Sequence, residues 1–364
     1  MIIRSTRPVL IPPKRYIFNG IVFSLLLFFV TACSLPGRRH VSGTIKPVVI
    51  TEKVRYDSDD PAIWIDRTHP EKSLVLGTDK HEDGSLFVFD LNGRILPEKT
   101  VHGLRRPNNV DVEYGIVLNG KPVDIAVVTE RQTGKLRVFT LPAMHAVDGG
   151  GIPVFVGETD RLPMGIALYK RASDGSVYAI VSRKHGPEDA TYLWQYRLED
   201  DGNGRIRGVP VRKFGNWSGK KEIEAVAVDD DAGYVFYSDE GVGVRQYLAD
   251  PDAHASDREL SLFASEGFMQ DHEGIAVCSG VDGKPVIIVS DQGAGKLHCF
   301  TTAENGTKKG GKIYKSRILR ISALETDGID ASSYLKTTRF PRGMLVAMSD
   351  DRTFHYYSLK DLGF

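Results

Sequence analysis

Short runs of β-branched and aromatic residues, separated by turns rich in glycine, aspartate and asparagine, dominate the chain after residue 55. This pattern is typical of β-strands joined by tight turns, and it shows little helical periodicity. One unit recurs, and it consists of an apolar strand, a polar turn that contains glycine, and a second strand of alternating aromatic and polar residues. Its six copies are Leu74–Leu91, Asp124–Leu141, Val177–Leu198, Tyr234–Leu248, Val286–Phe300 and Met344–Leu359.

The spacing of the copies is about 50 to 60 residues, which is the period expected of propeller blades. A further short strand precedes each copy, as at Pro61–Trp64 and Gly274–Val277, so each repeat supplies at least three strands. A fourth can come from the linking segments or, in one blade, from the N-terminal run Ile45–Val54, which would close the ring. We therefore predict an all-β protein, a six-bladed β-propeller over residues 49–364. The competing architecture is a pair of β-sandwiches, which six evenly spaced copies disfavour.

The N-terminal part of the chain has the features of a targeting segment. Basic residues precede the apolar run Ile21–Val30, which is too short for a membrane span of about 20 residues. Val30-Thr31-Ala32-Cys33 resembles a bacterial lipobox, so we expect a signal peptide at 1–32, lipidation of Cys33 and a tether at 33–48. Ser34 favours export to the outer membrane as a lipoprotein that faces the periplasm or the cell surface. An ordinary cleaved signal or an uncleaved anchor is the alternative.

The composition excludes several classes of protein. The 364 residues are 41% hydrophobic and 26% charged, as in an ordinary globular protein. Basic and acidic residues both number 47, and without residues 1–32 the balance is 43 against 47, or −4. This balance argues against a nucleic-acid partner, so any phosphate site has to be local. Cys278 and Cys299 are too few for a disulfide framework or a cysteine-rich zinc site, and we expect two partly buried thiols, with a disulfide between them as the alternative.

Equivalent positions in the repeats indicate a metal site. An oxygen-bearing side chain leads into the first strand in five of six copies, which read Asp59-Asp60, Asn108-Asn109, Pro163-Met164, Glu224, Asp271 with Glu273, and Asp327. Because the innermost strands line the channel of a propeller, these carboxylates would repel one another unless a cation lies among them. Oxygen ligands suit a hard cation such as Ca²⁺. In the alternative interpretation, Asp and Asn only terminate strands in turns.

A second set of equivalent positions ends each second strand. The triplets read Thr78-Asp79-Lys80, Thr129-Glu130-Arg131, Ser182-Arg183-Lys184, Ser238-Asp239-Glu240, Ser290-Asp291-Gln292 and Ser349-Asp350-Asp351. The third member is basic in the first three copies and acidic or amide in the last three, so we expect a channel mouth with a cationic half and an anionic half. The anionic half can hold metal, and Lys80, Arg131 and Lys184 can hold phosphate. Otherwise these are solvated turn charges.

The usual nucleophile motifs are missing from the sequence. There is no cysteine phosphatase loop, Walker loop or zinc helix motif. Hydrolysis without a nucleophilic side chain favours water activated by a metal.

These residues resemble the β-propeller phytases over roughly residues 50–350. The matching motifs are Asp59-Asp60-Pro61-Ala62-Ile63-Trp64, Asn108-Asn109-Val110-Asp111, Glu224 with Glu240, Asp271-His272-Glu273-Gly274 with Gln292-Gly293, and Asp327-Gly328-Ile329-Asp330 followed by Phe340-Pro341. The resemblance implies a six-bladed propeller that uses several calcium ions to hydrolyse phosphomonoesters of myo-inositol hexakisphosphate (phytate), taken as its calcium salt. We expect a monomer that meets the membrane only through its lipid anchor.

The resemblance also assigns roles to residues. The implied calcium ligands are Asp59, Asp60, Asn109, Glu224, Glu240, Asp271, Glu273, Gln292 and Asp327. The implied catalytic residues are Glu224, Glu240 and Glu273, around the calcium that activates water, and Lys80, Arg131 and Lys184, on the phosphate. The chain departs from the family pattern at three positions, where His81 replaces a second lysine, Met164 a tyrosine that faces substrate, and Ser349 an asparagine ligand.

Two other functions remain open from the sequence. A calcium-dependent propeller hydrolase of another class, such as a sugar lactonase, needs the metal but not the three cations. A non-catalytic surface propeller that binds a ligand or a partner protein would bind calcium without releasing phosphate.

Overall fold

The computed structural model describes residues 43–302 and 313–364, and within these residues the regular structure is nearly all β. Two 3-10 helices, Pro70–Lys72 and Arg131–Thr133, are single turns. The strands form six sheets. Five contain an antiparallel meander of four consecutive strands, and one of these five gains a parallel strand; the sixth contains three consecutive strands and one strand from the N-terminal segment. The predicted six-bladed β-propeller is therefore confirmed.

The chain begins with two short strands, β1 (Thr44–Ile45) and β2 (Val49–Ile50), and then forms the blades in order. Blade one contains β3 (Ser58–Trp64), β4 (Leu74–Asp79), β5 (Gly84–Phe89) and β6 (Val101–Leu104). Blade two contains β7 (Pro107–Leu118), β8 (Lys121–Glu130), β9 (Lys135–Leu141) and β10 (Ile152–Pro153). Blade three contains β11 (Pro163–Lys170), β12 (Val177–Arg183), β13 (Leu193–Asp200) and β14 (Ile206–Phe214). Blade four contains β15 (Val226–Asp229), β16 (Tyr234–Asp239), β17 (Gly243–Leu248) and β18 (Ser261–Phe263). Blade five contains β19 (His272–Ser279), β20 (Pro285–Asp291), β21 (Lys296–Thr302) and β22 (Ile313–Ile321). Blade six contains β23 (Ile329–Ser332), β24 (Met344–Ser349) and β25 (Thr353–Ser358).

The N-terminal segment closes the ring. Strand β2 pairs antiparallel with β25 and becomes the outer strand of blade six, with Val49 opposite Tyr356. This confirms that the N-terminal run supplies a fourth strand, and the pairing covers an edge that would otherwise be open. Strand β1 adds in parallel to the outer strand of blade five, with Thr44 opposite Arg320. Thr44 and Ile45 lie in the segment that the sequence assigns to the tether, so the fold reaches slightly further toward the N-terminus.

The core lies between the blades. Six apolar clusters of buried residues each join two neighbouring sheets, including the interface between blade six and blade one. In that interface, Ile63 and Val75 of blade one pack with Met344 and Val346 of blade six. The second strands carry near-continuous buried runs, as in β4 and β24, because both of their faces are covered by adjacent blades.

Cys278 and Cys299 are free thiols in the cluster between blades five and six. Both are fully buried, which is more than the partial burial expected from the sequence. No helix among the described residues is long and apolar enough to cross a membrane. The signal peptide at 1–32 and the lipidation of Cys33 concern residues outside the described part of the chain, so both stay predictions.

Candidate active site

At one end of the channel, the pairing between the first and second strands of the blades is interrupted. In blades one, two, three and five the ladder between the first and second strands shifts by a residue, so two consecutive residues are left without a partner. Such a bulge re-aims side chains and bends the strand. The two consecutive residues at this position, followed through all six blades, are Asp59-Asp60, Asn108-Asn109, Met164-Gly165, Glu224-Ala225, Glu273-Gly274 and Asp327-Gly328.

The two positions of each pair have different surroundings. Side chains at the first position contact those of other blades, as Asn108 does with Glu224. Residues at the second position approach the neighbouring blade. A Cβ on Gly165 would lie 2.0 Å from the backbone oxygen of Glu224, and one on Gly328 would lie 2.4 Å from Asp60 Oδ1. Glycine is therefore needed where blades three and four, and blades six and one, come closest.

The hydroxyl group that begins each triplet joins one blade to the next. The hydroxyls of Thr78, Thr129, Ser182, Ser238 and Ser290 donate hydrogen bonds of 2.5–2.9 Å to the backbone carbonyls of Asn108, Met164, Ile223, His272 and Thr326, respectively. Each acceptor lies in the following blade, at or immediately before its bulge. In the sixth blade the arrangement differs, because Ser58 of blade one donates to the carbonyl of Ser349. The hydroxyls thus fix the bulges, which carry several of the predicted ligands, relative to one another.

In blades one and five, the second residue of the triplet anchors the loop that leads into its own blade. Asp79 accepts the backbone N–H groups of Tyr56 and Asp57, just before Asp59. Asp291 accepts those of Met269 and Gln270. These carboxylates are buried, so their charge holds the loops and does not reach the mouth. Sequence reasoning missed both of these roles, because an acid in a turn has the same sequence signature whether it binds metal or accepts backbone N–H groups.

The third residues of blades one to five point to the mouth, and there Glu240 meets Glu224 and Glu273. Carboxylate oxygens of Glu224, Glu240 and Glu273 lie within 4.8 Å of one another. Glu240 and Glu273 are only 4% and 6% exposed. Burial, followed by repulsion from Glu224, raises the pKa of Glu240 to about 9. Burial, followed by repulsion from Glu240, raises the pKa of Glu273 well above its usual range.

Lys80 occupies the opposite side of this cluster. Its ammonium pairs with Asp59 and lies 3.6 Å from Asp327 Oδ2 and 3.9 Å from Glu224 Oε1. Burial opposes the charge of Lys80, but these three carboxylates outweigh it and raise its pKa. Burial raises the pKa of Asp59 well above the ordinary value, although Lys80 works against that shift. The cationic and anionic halves expected from the sequence are therefore in direct contact.

The other two predicted cations extend the mouth toward blades three and four. Arg131 is 8% exposed, and its Nη2 lies 3.9 Å from Glu224 Oε1. Burial lowers the pKa of Arg131, and Glu224 opposes that shift. Lys184 pairs with the carboxylate of Glu222, a residue that sequence reasoning did not single out. Glu222 lies outside the repeated positions, so comparison of the copies had no means of finding it.

The remaining predicted ligands divide between the mouth and the channel. Gln292 Nε2 donates to Asp327 Oδ1, and Asp271 pairs with Lys221. Burial raises the pKa of Asp327 to about 6 despite the nearby Lys80. Asp60 and Asn109 line a cavity of about 160 Å³ inside the channel, together with Asp111 and Asp330 of blades two and six. The structure therefore brings Asp60 and Asn109 to a different place from the glutamate cluster.

The departures from the family pattern are also visible. Met164 is fully buried at the first bulge position of blade three and presents no polar atom there. Ser349 is buried, and its Oγ accepts the backbone N–H of Leu324. His81 stacks on Tyr56 with ring centroids 3.8 Å apart. The side chains of His81 and Ser349 therefore have local structural partners.

The donor set at the mouth fits a hard metal ion. Glu240 Oε1 and Asp59 Oδ2 are buried and have no hydrogen-bond partner among the described residues. Burying carboxylates without a partner or a countercharge is costly, and a bound cation removes that cost. The donors that converge at Glu224, Glu240 and Glu273 are all carboxylate oxygens, which hard divalent cations prefer to nitrogen or sulfur.

Fold and site together define a class of protein: a six-bladed β-propeller whose channel mouth can hold a metal ion beside cations suited to an anionic small molecule. The phytase family profile matches residues 19–356, and the chain belongs to this family. The chain is also similar to a 3-phytase of Bacillus subtilis (strain 168), with 27% identity over 303 residues, which is 81% of this chain and 75% of the relative. The protein is therefore a phytase-family hydrolase with a small-molecule substrate.

Proposed function

We propose that this protein hydrolyses phosphate monoesters of phytate in a calcium-dependent reaction and releases inorganic phosphate. The observation that carries the proposal is the convergence of Glu224, Glu240 and Glu273 within 4.8 Å, beside the cations Lys80 and Arg131. These three carboxylates, two of them buried, repel one another in the absence of a cation, whereas phosphate and carboxylates share a site readily when divalent cations lie between them. The similarity to a 3-phytase agrees with this substrate.

In this proposal the glutamates hold calcium, and the basic residues hold phosphate. When bound, calcium supplies positive charge that stabilises the phosphoryl oxygens and lowers the pKa of water at the site. Arg131 can donate two parallel hydrogen bonds to a phosphate, and Lys80 and Lys184 act as point charges. All three are paired with acids now, so substrate and calcium together would exchange these pairs for phosphate and metal contacts.

The other calcium ligands are proposed in two groups. Asp59, Asp327 and Gln292 adjoin Lys80 at the mouth, and Asp271 lies beside the glutamate cluster. The second group, Asp60 and Asn109, lines the channel cavity, where a cation would serve the fold. Calcium is proposed over zinc because these ligands are oxygen atoms of carboxylates and amides.

The test is phosphate release from calcium phytate by the purified protein, with calcium and with a chelator. Release that depends on calcium supports the proposal. Release that persists in the chelator excludes a metal-dependent reaction. Calcium binding without release from any inositol phosphate favours a surface binding protein. Turnover of a lactone that survives replacement of Lys80, Arg131 and Lys184 favours a lactonase-like enzyme.

We also propose that the protein is an exported, monomeric lipoprotein of the outer membrane. The lipobox-like segment Val30–Cys33 supports this placement. Mass spectrometry of the protein isolated from membranes should find a diacylglyceryl group on Cys33 as the first residue of the mature chain, followed by a tether that ends near residue 48. Membrane association that persists in Cys33→Ala would contradict the lipid anchor, and light scattering of the detergent-free domain tests the monomer.

A further inference from the structure

Lys221 lies outside the six repeats, in the segment that connects β14 to β15. Its ammonium pairs with the carboxylate of Asp271, which belongs to blade five, so the contact crosses from one blade to the next. The side chain of Lys221 is 49% exposed and that of Asp271 is 18% exposed. The lysine therefore lies at the rim of the mouth with its charged end turned inward.

Asp271 acts on the glutamate cluster as well as on Lys221. Its negative charge is among those that oppose ionisation of Glu240 and Glu273. A divalent cation at this cluster would attract the carboxylate of Asp271 and repel the ammonium that now occupies it. A metal ion and an ammonium group close to the same carboxylate repel each other, so Lys221 and the metal compete for Asp271.

The surroundings of Lys221 leave it few alternatives once Asp271 is taken. Its nearest acidic neighbour along the chain, Glu222, already pairs with Lys184. An ammonium offers three donors and binds phosphate as a point charge. The released side chain would add a cation to Lys80, Arg131 and Lys184, on the side of the mouth formed by blades four and five.

We propose that Lys221 is a further phosphate-binding residue, which Asp271 holds in the metal-free protein and releases to the substrate when a divalent cation binds Asp271. The proposal rests on the proposed function. Lys221 would bind a second phosphate group of a polyphosphorylated substrate, because the glutamate cluster and the three other cations surround the phosphate group that is hydrolysed. Calcium binding and substrate binding would thereby be linked through one side chain.

The chain contains a matched control in the adjacent lysine. Lys220 carries the same charge, is exposed, and its Nζ donates to the backbone oxygen of Gly241 instead of a carboxylate. Lys220→Gln therefore reports the effect of removing a charge from the rim, and Lys221→Gln adds the loss of the Asp271 contact. Lys221→Arg keeps the charge and should restore most of the substrate affinity.

Two measurements on the full-length protein test the proposal. Calorimetric titration with calcium, without substrate, should show roughly threefold to tenfold tighter binding in Lys221→Gln, because the competing ammonium is gone. At saturating calcium, KM for phytate should rise by about the same factor with little change in kcat, whereas KM for a simple aryl monophosphate should not change. Lys220→Gln should show neither effect.

Weaker calcium binding in Lys221→Gln would overturn the proposal, because it would mean that the lysine positions Asp271 for the metal. An unchanged KM for phytate would also overturn it. If the wild-type protein releases no phosphate, the proposed function fails separately. Calcium titration and equilibrium binding of myo-inositol hexasulfate, which cannot be hydrolysed as a phosphate ester, then still decide whether Lys221 exchanges Asp271 for an anion.

Discussion

The hydroxyl of Ser238, at the end of the second strand of blade four, donates a hydrogen bond to the backbone carbonyl of His272 in blade five. His272 lies between Asp271 and Glu273, two of the proposed calcium ligands. One buried hydroxyl thus fixes the bulge of blade five relative to Glu240, which follows Ser238 by two residues. The geometry of the glutamate cluster therefore depends on contacts between blades as much as on the ligands themselves.

Ser238→Ala should destabilise the protein and loosen the cluster. It leaves a buried carbonyl without this partner, which costs about 1–3 kcal/mol in the free energy of unfolding. We also expect weaker calcium binding, because Glu273 is less well held. Denaturant unfolding and calcium titration measure the two effects. Ser173→Ala, in an exposed turn, is the control and should change neither, and normal calcium affinity in Ser238→Ala would refute the positioning role.

Glu240→Gln should abolish activity while it stabilises the calcium-free fold. The variant keeps the shape of the side chain but has no carboxyl group, so folding no longer requires a proton to be held beside Glu224 and Glu273. Activity should fall roughly 100-fold or more. The free energy of unfolding in chelator should rise by about 1–2 kcal/mol at pH 8. Glu98→Gln, at an exposed position, supplies the matched control for both assays. Retention of full activity would remove Glu240 from the reaction.

Lys80→Met should destabilise the calcium-free protein strongly. It leaves Asp59, which is 1% exposed, without its cation, and loss of one member of a buried ion pair costs about 3 kcal/mol. Calcium at saturating concentration should recover most of this loss, since a metal at Asp59 and Asp327 replaces the missing charge, but activity should stay low. Thermal unfolding with and without calcium checks the recovery. A deficit of equal size in both conditions would show that no metal binds there.

The blades were predictable from the sequence because their signal is repeated. Six copies of one strand–turn–strand unit, each with its apolar run, fix the architecture, and the glutamates of the mouth follow from equivalence of position. Lys221 and Glu222 were not predictable because they lie in a connecting segment that has no counterpart in the other blades. The burial of Asp79 and Asp291 was not predictable either, since a carboxylate in a turn has the same sequence signature whether it binds metal or caps backbone N–H groups.

Stability of the calcium-free protein should fall as the pH rises from 7 to 9. Burial, followed by repulsion from Glu224, places the pKa of Glu240 near 9, above its ordinary 4.5. Between these values the folded state keeps a proton that the unfolded chain releases, so the free energy of unfolding falls with pH, by up to about 1.4 kcal/mol per unit for each such proton.

The window above pH 7 isolates this effect from that of the buried histidines. Burial lowers the pKa of His298 to about 4 from its ordinary 6.5. His298 therefore makes the free energy of unfolding rise with pH, but only up to about pH 6.5. Denaturant unfolding at pH 7, 8 and 9 in chelator measures the slope. Glu240→Gln should reduce it, and saturating calcium should remove it, because a bound metal keeps the carboxylates ionised throughout the range. If stability without calcium is constant or rises over this range, Glu240 does not keep its proton in the folded protein.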